Sequence, residues 1–168
     1  LGFWIMHLCM RVFGPDLVGM RIASALAGIA TVYLTYLVAK RLFGREPVAL
    51  LAAALLAVNS AHVWFSRIGM QESLVIFFLM LAIWLFLKML EDPRYFYGAV
   101  AATGIAMLMK YTAIVLVPIF SIWCVWQRRD LLRWPRVLAA GALLAVVVSP
   151  VLVYNLMLYQ TRGHFDFQ

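Results

Sequence analysis

Charged side chains are scarce in this sequence, since Asp, Glu, Lys and Arg together make up 12% of its 168 residues. A soluble domain carries about 25% charged and about 45–50% apolar residues, whereas 66% of this chain is hydrophobic and its mean hydropathy is +0.96. The composition all but excludes a water-soluble globular domain, and equally an intrinsically disordered chain. It indicates a membrane protein instead.

Cysteine is also rare, with only Cys9 and Cys124, both inside apolar segments. Two such residues form neither a disulfide framework nor a metal-binding spacing, and we interpret them as small buried hydrophobes. No set of His, Cys, Asp and Glu residues has the spacing of metal ligands. The sequence therefore predicts no metal site and indicates no cofactor, although a requirement for a divalent metal stays open.

Acidic residues are half as frequent as basic ones, with 7 Asp and Glu against 14 Lys and Arg and a net charge of +7. In a soluble protein such an excess would suggest a nucleic-acid partner. Here most basic residues lie between apolar runs, so we interpret them as signals of membrane topology.

The apolar runs predict an all-α, polytopic transmembrane helix bundle with about six crossings. A bilayer core about 30 Å thick needs roughly 20 apolar residues in a helix that rises 1.5 Å per residue. The stretch over residues 1–12 is too short to span, and we interpret it as an interfacial helix or the end of a truncated span. The crossings are expected over residues 17–39, 48–65, 73–87, two within 95–127, and 137–158.

The stretch 95–127 is divided because a helix of that length would extend about 50 Å, and Lys110-Tyr111-Thr112 lies near its middle. With this division the loops place 9 of the 14 basic residues on one side of the membrane and 5 on the other. The positive-inside rule makes the richer side cytoplasmic. A single crossing here would reverse the bias, so the charge count supports two.

Polar residues on the predicted outer side form the candidate site. An ionisable residue is costly in hydrocarbon and usually has a function. The cations suit a phosphate or pyrophosphate headgroup, and the single carboxylate could accept a proton from an attacking hydroxyl. The residues are Arg21, His62, Arg67, Gln71, Glu72, Lys110, Asn155 and Arg162.

Each of these residues also has a purely structural interpretation. Glu72 could be an acid stabilised by the dipole of the helix that it begins. Arg21 and Arg67 could extend to the outer surface from apolar helices, and Lys110 could lie in a turn between two spans. His62 is more readily interpreted as a hydrogen-bonded interfacial histidine than as a ligand.

Several segments resemble the C-type membrane glycosyltransferases. Residues 20–28 (MRIASALAG) resemble the start of a span in that class, and residues 65–74 (FSRIGMQESL) resemble its second outer loop. Lys110-Tyr111-Thr112 falls where the class often shows a Thr-Lys pair after a Gly-rich helix. Residues 149–168, which include Ser149-Pro150, Asn155 and the final HFDFQ, resemble a stretch found in the bacterial branch of this class. The class contains protein O-mannosyltransferases and aminoarabinose transferases (glycosyltransferase family 39-like), and the resemblance covers nearly the whole chain.

The resemblance implies an enzyme of the plasma (inner) membrane that builds the cell envelope, by protein glycosylation or lipopolysaccharide modification. It would move a sugar, a hexose or a pentose, from a polyprenyl-phosphate donor to a hydroxyl of a lipid, glycan or protein acceptor, at a site facing the periplasm or exterior. Its partners would be that donor, that acceptor and membrane lipids, and not nucleic acid.

The resemblance also assigns roles to the polar residues. It implies that Glu72 is a catalytic carboxylate, as the family's second outer-loop acid, and that Arg21, Arg67 and Lys110 are candidate contacts of the donor phosphate. Gln71, His62 and Asn155 are candidate substrate contacts.

Two departures from the family pattern bear on activity. Glu72 stands where the family usually has Asp, and its carboxylate reaches one carbon further. The family's first outer loop, which carries its principal catalytic carboxylate, would precede Leu1. We therefore expect residues 1–168 to be a partial transmembrane glycosyltransferase domain, lacking the first span, that loop and a C-terminal region, and to be inactive alone.

Two other functions stay open. A transporter or flippase of anionic lipid-linked solutes would carry ionisable residues on broken helices near the midplane. Lys110, Pro118 and Pro150 favour it slightly, while the concentration of polar residues towards one face argues against it. A structural membrane subunit without a site would tolerate changes of the outer charges.

Overall fold

The computed structural model describes residues 2–162, and within them every regular element is a helix. The all-α membrane-type fold predicted from the sequence is confirmed. Three short 3₁₀ segments, Pro93–Tyr95, Tyr111–Val115 and Arg129–Leu132, join some of the longer helices. The α-helices are α1 Gly2–Phe13, α2 Leu17–Phe43, α3 Glu46–Ala57, α4 Ser60–Ile68, α5 Glu72–Glu91, α6 Phe96–Met109, α7 Leu116–Gln127 and α8 Trp134–Arg162.

Three of the described helices, α2, α5 and α8, are long and apolar enough to cross a membrane. The pair α3 and α4 makes a fourth crossing if the two helices cross together. The helices over 96–109 and 111–127 are shorter than a bilayer needs. The count of six crossings therefore stays a prediction.

The crossing expected over residues 48–65 is a bent pair rather than one straight helix, because α3 and α4 meet at 56°. Asn59 has an extended backbone, and its side-chain Oδ1 accepts the backbone N–H of His62 at 3.0 Å. Such an N-cap satisfies a donor that a new helix leaves free. Asn59 thereby begins α4 inside an otherwise apolar run, a break that was not predicted from the sequence.

The break expected at Lys110 is present. Lys110 has an extended backbone, and the following residues form a 3₁₀ helix before α7 begins at Leu116. Pro118 lies in the first turn of α7, where the N–H that proline lacks would have no partner within the helix.

Small residues determine how α2 packs. Gly19, Ala23, Ala27 and Thr31 recur at every fourth position, and all are buried. In a membrane, such a stripe lets helix backbones approach closely. Helix α2 accordingly contacts α1, α3, α4 and α5.

Helix α1 is packed against the bundle along one face. Its Met6 lies in a buried cluster with Ala23 of α2, Leu74 of α5 and Met109 of α6. This cluster brings together the beginnings of α2 and α5 and the end of α6.

Candidate functional site

The two ends of the bundle differ in how their charges are used. At one end, which we call the paired end, lie all three ion pairs of residues 2–162: Lys40–Glu46 at 2.6 Å, Arg41–Glu91 and Arg128–Asp130 at 2.9 Å. The Arg41–Glu91 pair joins the C-terminal ends of α2 and α5. The Arg128 guanidinium also holds the pKa of the Asp130 carboxyl below its ordinary value. The paired end carries the loops that are predicted to be cytoplasmic.

The opposite end, which we call the unpaired end, contains Arg21, Arg67, Glu72 and Lys110. Two contacts hold its loop 69–71 in place: the Ser24 hydroxyl of α2 donates to the Met70 carbonyl at 2.9 Å, and Met20 packs against Gly69. These contacts fix the residues immediately before Glu72 against the first turns of α2.

Glu72 differs from the other acidic side chains of residues 2–162. Three of those form the ion pairs of the paired end, and two accept backbone N–H groups. Asp16 accepts from Gly19 at 2.8 Å, and Asp92 accepts from Arg94 at 3.0 Å. Glu72, the first residue of α5, makes no such interaction within the described chain. Its carboxylate is half-buried and available to an external partner.

Arg21, Arg67 and Lys110 share this property, since none has a hydrogen-bonding or ionic side-chain partner within residues 2–162. Arg21 and Arg67 line one depression of about 520 Å³ together with Ser60, Trp64 and other residues of α4. No acidic residue lines it. The structure thus joins two of the three cations that the sequence analysis assigned to a phosphate.

Lys110 and Glu72 lie outside that depression. A Cβ placed on Gly2 would lie 3.0 Å from Cβ of Gln71 and 3.7 Å from Sδ of Met109. The residues preceding Glu72 and Lys110 therefore both approach the beginning of α1. The unpaired end has two parts, the Arg21–Arg67 depression and the Glu72–Lys110 region beside α1.

Three other predicted contacts have different surroundings. Gln71 lies beside Gly2, as described. His62 is buried between α4 and α2, with its Nε2 3.3 Å from the Gly28 carbonyl oxygen. Asn155 is buried on α8, and its Nδ2 donates to the Val151 carbonyl at 3.0 Å. The structure does not bring Asn155 into the Arg21–Arg67 depression.

Two parts of the prediction fall outside the described residues. Arg162 lies at the end of a described helix, but the side chain of Arg162 is not described. The segment 164–168, which contributes to the family resemblance, lies beyond residue 162.

Two serines at the unpaired end were missed by the sequence analysis. Ser24 is fully buried and anchors Met70. Ser73 follows Glu72, and its buried hydroxyl has no hydrogen-bond partner within the described chain. Unpartnered buried hydroxyls are uncommon. Serines in apolar runs are ordinary in membrane helices, so the sequence carried no signal for either.

A metal centre has no support from the described side chains. No group of three His, Cys, Asp or Glu residues within 2–162 comes together. The chemistry available at the unpaired end is a carboxylate that can take a proton and cations that can hold an anion.

The model of the dolichyl-phosphate-mannose-protein mannosyltransferase family matches residues 1–154. An undecaprenyl phosphate-alpha-4-amino-4-deoxy-L-arabinose arabinosyl transferase of Pseudomonas fluorescens (strain Pf0-1) is 31% identical over 159 residues, covering 88% of this chain and 26% of the relative. Its namesake in Pseudomonas aeruginosa (strain UCBPP-PA14) is 31% identical over 161 residues, covering 90% of this chain and 28% of the relative.

An uncharacterized protein of Aquifex aeolicus (strain VF5) is 30% identical over 120 residues, covering 70% of this chain and 24% of the relative. The chain spans about a quarter of the length of the curated relatives that it matches. No solved structure gives a significant match.

Proposed function

Because the chain belongs to the dolichyl-phosphate-mannose-protein mannosyltransferase family, we propose that the protein transfers a sugar from a polyprenyl-phosphate-linked donor to a hydroxyl of a lipid, glycan or protein acceptor. The observation that carries the proposal is the contrast between the two ends of the bundle. At the paired end the described carboxylates form ion pairs or accept a backbone N–H group, whereas the other end keeps the Glu72 carboxylate and three cations without partners within residues 2–162.

The proposed mechanism follows from the charges that the reaction develops. When the glycosidic bond to phosphate breaks, the departing polyprenyl phosphate gains negative charge, which Arg21, Arg67 and Lys110 stabilise electrostatically. The acceptor hydroxyl must lose its proton as it attacks the anomeric carbon, and Glu72 takes that proton as general base. Gln71, next to Glu72, is then positioned to contact the sugar or the acceptor.

The relatives' names suggest the donor. They are undecaprenyl phosphate aminoarabinose transferases, so an undecaprenyl-phosphate-linked pentose is the first donor to test. The acceptor is proposed only as a hydroxyl-bearing lipid, glycan or protein. The paired end, which carries the basic loops, faces the cytoplasm in this proposal, and the site faces the periplasm or exterior of a plasma membrane.

The test compares the two glutamates that begin and end α5 in the intact protein. Glu72→Gln removes the base and is expected to lower transfer by about 10²–10⁴-fold, the usual contribution of general base catalysis. Glu91→Gln is the matched control, since it makes the same change at the paired end and should leave transfer nearly unchanged. Thermal unfolding in detergent checks that both variants fold.

Full transfer activity in Glu72→Gln would remove the role of Glu72 while leaving the family membership intact. An equal loss in both variants, with both folded, would show that the contrast between the two ends has no catalytic meaning.

Transport of an anionic lipid-linked solute is the second candidate. The bend between α3 and α4 and the break at Lys110 are interruptions of the kind found in transporters. A transporter would move a labelled polyprenyl-phosphate sugar across vesicles without forming a glycosidic product. A transferase would form the product without moving the sugar.

A further inference from the structure

A cavity of about 250 Å³ lies towards the paired end of the bundle, among α5, α6, α7 and α8. Its lining includes Met89 near the end of α5 and Leu132 before α8, and it extends inward to Thr103 of α6 and Leu144 of α8. None of the four charged residues of the unpaired end lines it. The cavity, which we call the α7–α8 cavity, is therefore separate from the candidate site.

The position of α7 leaves this space unfilled. Its close backbone contacts are mainly with the 3₁₀ segments that precede and follow it. Towards α5 it is held by the stacked rings of Phe86 and Phe120, whose centroids are 4.0 Å apart. A Cβ added to Gly141, on the α8 wall of the cavity, would meet nothing within 4 Å. Close-packed interiors rarely leave such a space, so a ligand that completes the packing is expected here.

The lining of the α7–α8 cavity suits a hydrocarbon chain. None of the described lining residues is charged, and the Thr103 hydroxyl is engaged by the Ala99 carbonyl at 2.8 Å. Apolar cavities bind apolar molecules rather than water. Ser121 of α7 and Val137 of α8 both line the cavity and are exposed. The cavity therefore opens between these two helices.

The depth of the cavity fits one leaflet of a bilayer. Leu144 follows Val137 by seven residues, and both line the cavity, which corresponds to about 10 Å along the helix. Half of the hydrocarbon core is about 15 Å thick. A chain in the cavity would thus lie within the leaflet at the paired end.

Residues 128–136, which we call the basic loop, lie at the mouth of the cavity. Leu131 is fully buried in the cluster that contains Cys124, and this contact fixes the loop to the bundle. Arg133 directly follows the lining residue Leu132, and Arg136 directly precedes Val137. Cationic groups therefore flank the entrance to an apolar space.

Three guanidinium groups of the basic loop lack a carboxylate partner. Asp130 is paired with Arg128 through two contacts of 2.9 Å. Arg129 and Arg136 donate only to backbone carbonyls, while Arg133 has no hydrogen-bonding or ionic side-chain partner within residues 2–162. This excess of positive charge favours an anionic headgroup, because a zwitterionic one would bring its own ammonium group beside the arginines.

Two exposed tryptophans indicate the depth of the basic loop. Trp126, just before the loop, is 75% exposed, and Trp134, within it, is 72% exposed. Tryptophan is enriched at the boundary between membrane and water. The loop accordingly lies at the level of the lipid headgroups, with the cavity beside the acyl chains.

We propose that the α7–α8 cavity and the basic loop together bind an anionic phospholipid, with one acyl chain in the cavity and the phosphate at Arg133 and Arg136. In the proposed orientation the basic loops face the cytoplasm, and the cytoplasmic leaflet is the one that carries anionic lipids. The bound chain fills the space beside α7 and holds that helix in place. This lipid is neither the sugar donor nor the acceptor, so the inference does not depend on the proposed function.

The experiment uses the intact protein in phosphatidylcholine nanodiscs that contain a small fraction of phosphatidylglycerol with a photoreactive acyl chain. Phosphatidylcholine with the same chain is the lipid control. Gly141→Phe fills the cavity, and Ala142→Phe, at an exposed neighbour outside the cavity, is its matched control. Arg133→Gln removes a cation from the basic loop, and Arg45→Gln removes an exposed one elsewhere at the paired end.

In the wild type, cross-links of phosphatidylglycerol should lie within residues 117–124 and 137–144 and should exceed those of phosphatidylcholine. Gly141→Phe is expected to lower their yield at least about tenfold, the effect of excluding two methylene groups from an apolar surface. Arg133→Gln should lower it about fivefold, the usual effect of one basic residue at an anionic membrane surface. Both control variants should behave as the wild type.

Thermal unfolding in detergent provides a second measurement. Added phosphatidylglycerol should raise the Tm of the wild type more than phosphatidylcholine does, because a ligand that binds only the folded state stabilises it. The difference between the two lipids should be absent in Gly141→Phe. The same measurement without added lipid checks that each variant folds.

Equal cross-linking by the two lipids, cross-links confined to other helices, or equal yields in Gly141→Phe and Ala142→Phe would each overturn the inference. Displacement of phosphatidylglycerol from the cavity by undecaprenyl phosphate would also overturn it, since the site would then belong to the carrier. If Gly141→Phe does not fold, the map of cross-links in the wild type and the yield in Arg133→Gln still decide. The role proposed for Glu72 is tested separately by transfer activity.

Discussion

The contact between α2 and α4 at Gly28 allows a quantitative test of the architecture. A Cβ at this position would lie 2.2 Å from Oγ and 2.8 Å from Cβ of Ser66. The Ser66 hydroxyl could rotate away only by giving up its hydrogen bond to the His62 carbonyl, and Cβ is fixed to the backbone, so Gly28→Ala must push α4 away from α2. Overpacking of this kind costs about 1–3 kcal/mol, and removing a helical glycine returns about 0.5–1 kcal/mol. The expected net destabilisation is about 1–2 kcal/mol.

The assay is thermal unfolding of the purified protein in detergent, in which this change corresponds to a fall of about 2–8 °C in Tm. Gly141→Ala is the control, because nothing lies within 4 Å of an added Cβ there and the helix gains propensity. Ser66→Gly should rescue Gly28→Ala by removing both clashing atoms. A Gly28→Ala variant as stable as Gly141→Ala, with no coupling to Ser66, would refute the packing described here.

Two smaller predictions concern other contacts. Ser24→Ala removes the hydrogen bond to the Met70 carbonyl, which should cost about 1 kcal/mol of stability in thermal unfolding. It should also lower the kcat of transfer, because the loop before Glu72 is held less firmly. Asp130→Asn should lower stability slightly at neutral pH, because Arg128 lowers the pKa of the Asp130 carboxyl in the folded protein. A lowered pKa contributes stability that is lost on acidification. The difference in stability from the wild type should therefore vanish as the pH falls below about 4 and through the lowered pKa.

Much of the fold could be predicted because hydrocarbon leaves few choices for the backbone. The long apolar runs gave the helices, and the excess length of 95–127 gave the break at Lys110. The bend at Asn59 could not be predicted, because an asparagine in an apolar run is compatible with a straight span. Its effect became visible only in the Asn59 cap and the 56° angle.

The candidate site was predictable as a set of residues but not as an arrangement. Span order alone put Arg21, Arg67, Glu72 and Lys110 at one end. That Arg21 and Arg67 line one depression, while Lys110 and Glu72 lie beside α1, depends on how α4 tilts on α2. Interhelical packing of this kind is fixed by small residues such as Gly28, whose partner at Ser66 cannot be identified from spacing.

The claim that the unpaired end binds a lipid-linked phosphate is tested most directly by native mass spectrometry of the intact protein with its bound lipids retained. Two triple variants are compared, each replacing three cations by glutamine. The first carries Arg21→Gln, Arg67→Gln and Lys110→Gln. The control carries Arg45→Gln, Arg94→Gln and Arg133→Gln, at residues of the paired end that form no ion pair within residues 2–162.

We expect a polyprenyl phosphate to co-purify with the wild type and with the control, and to be lost from the first variant. Retention of the same polyprenyl phosphate by both triple variants, or co-purification of bulk phospholipid alone in all three proteins, would contradict the account.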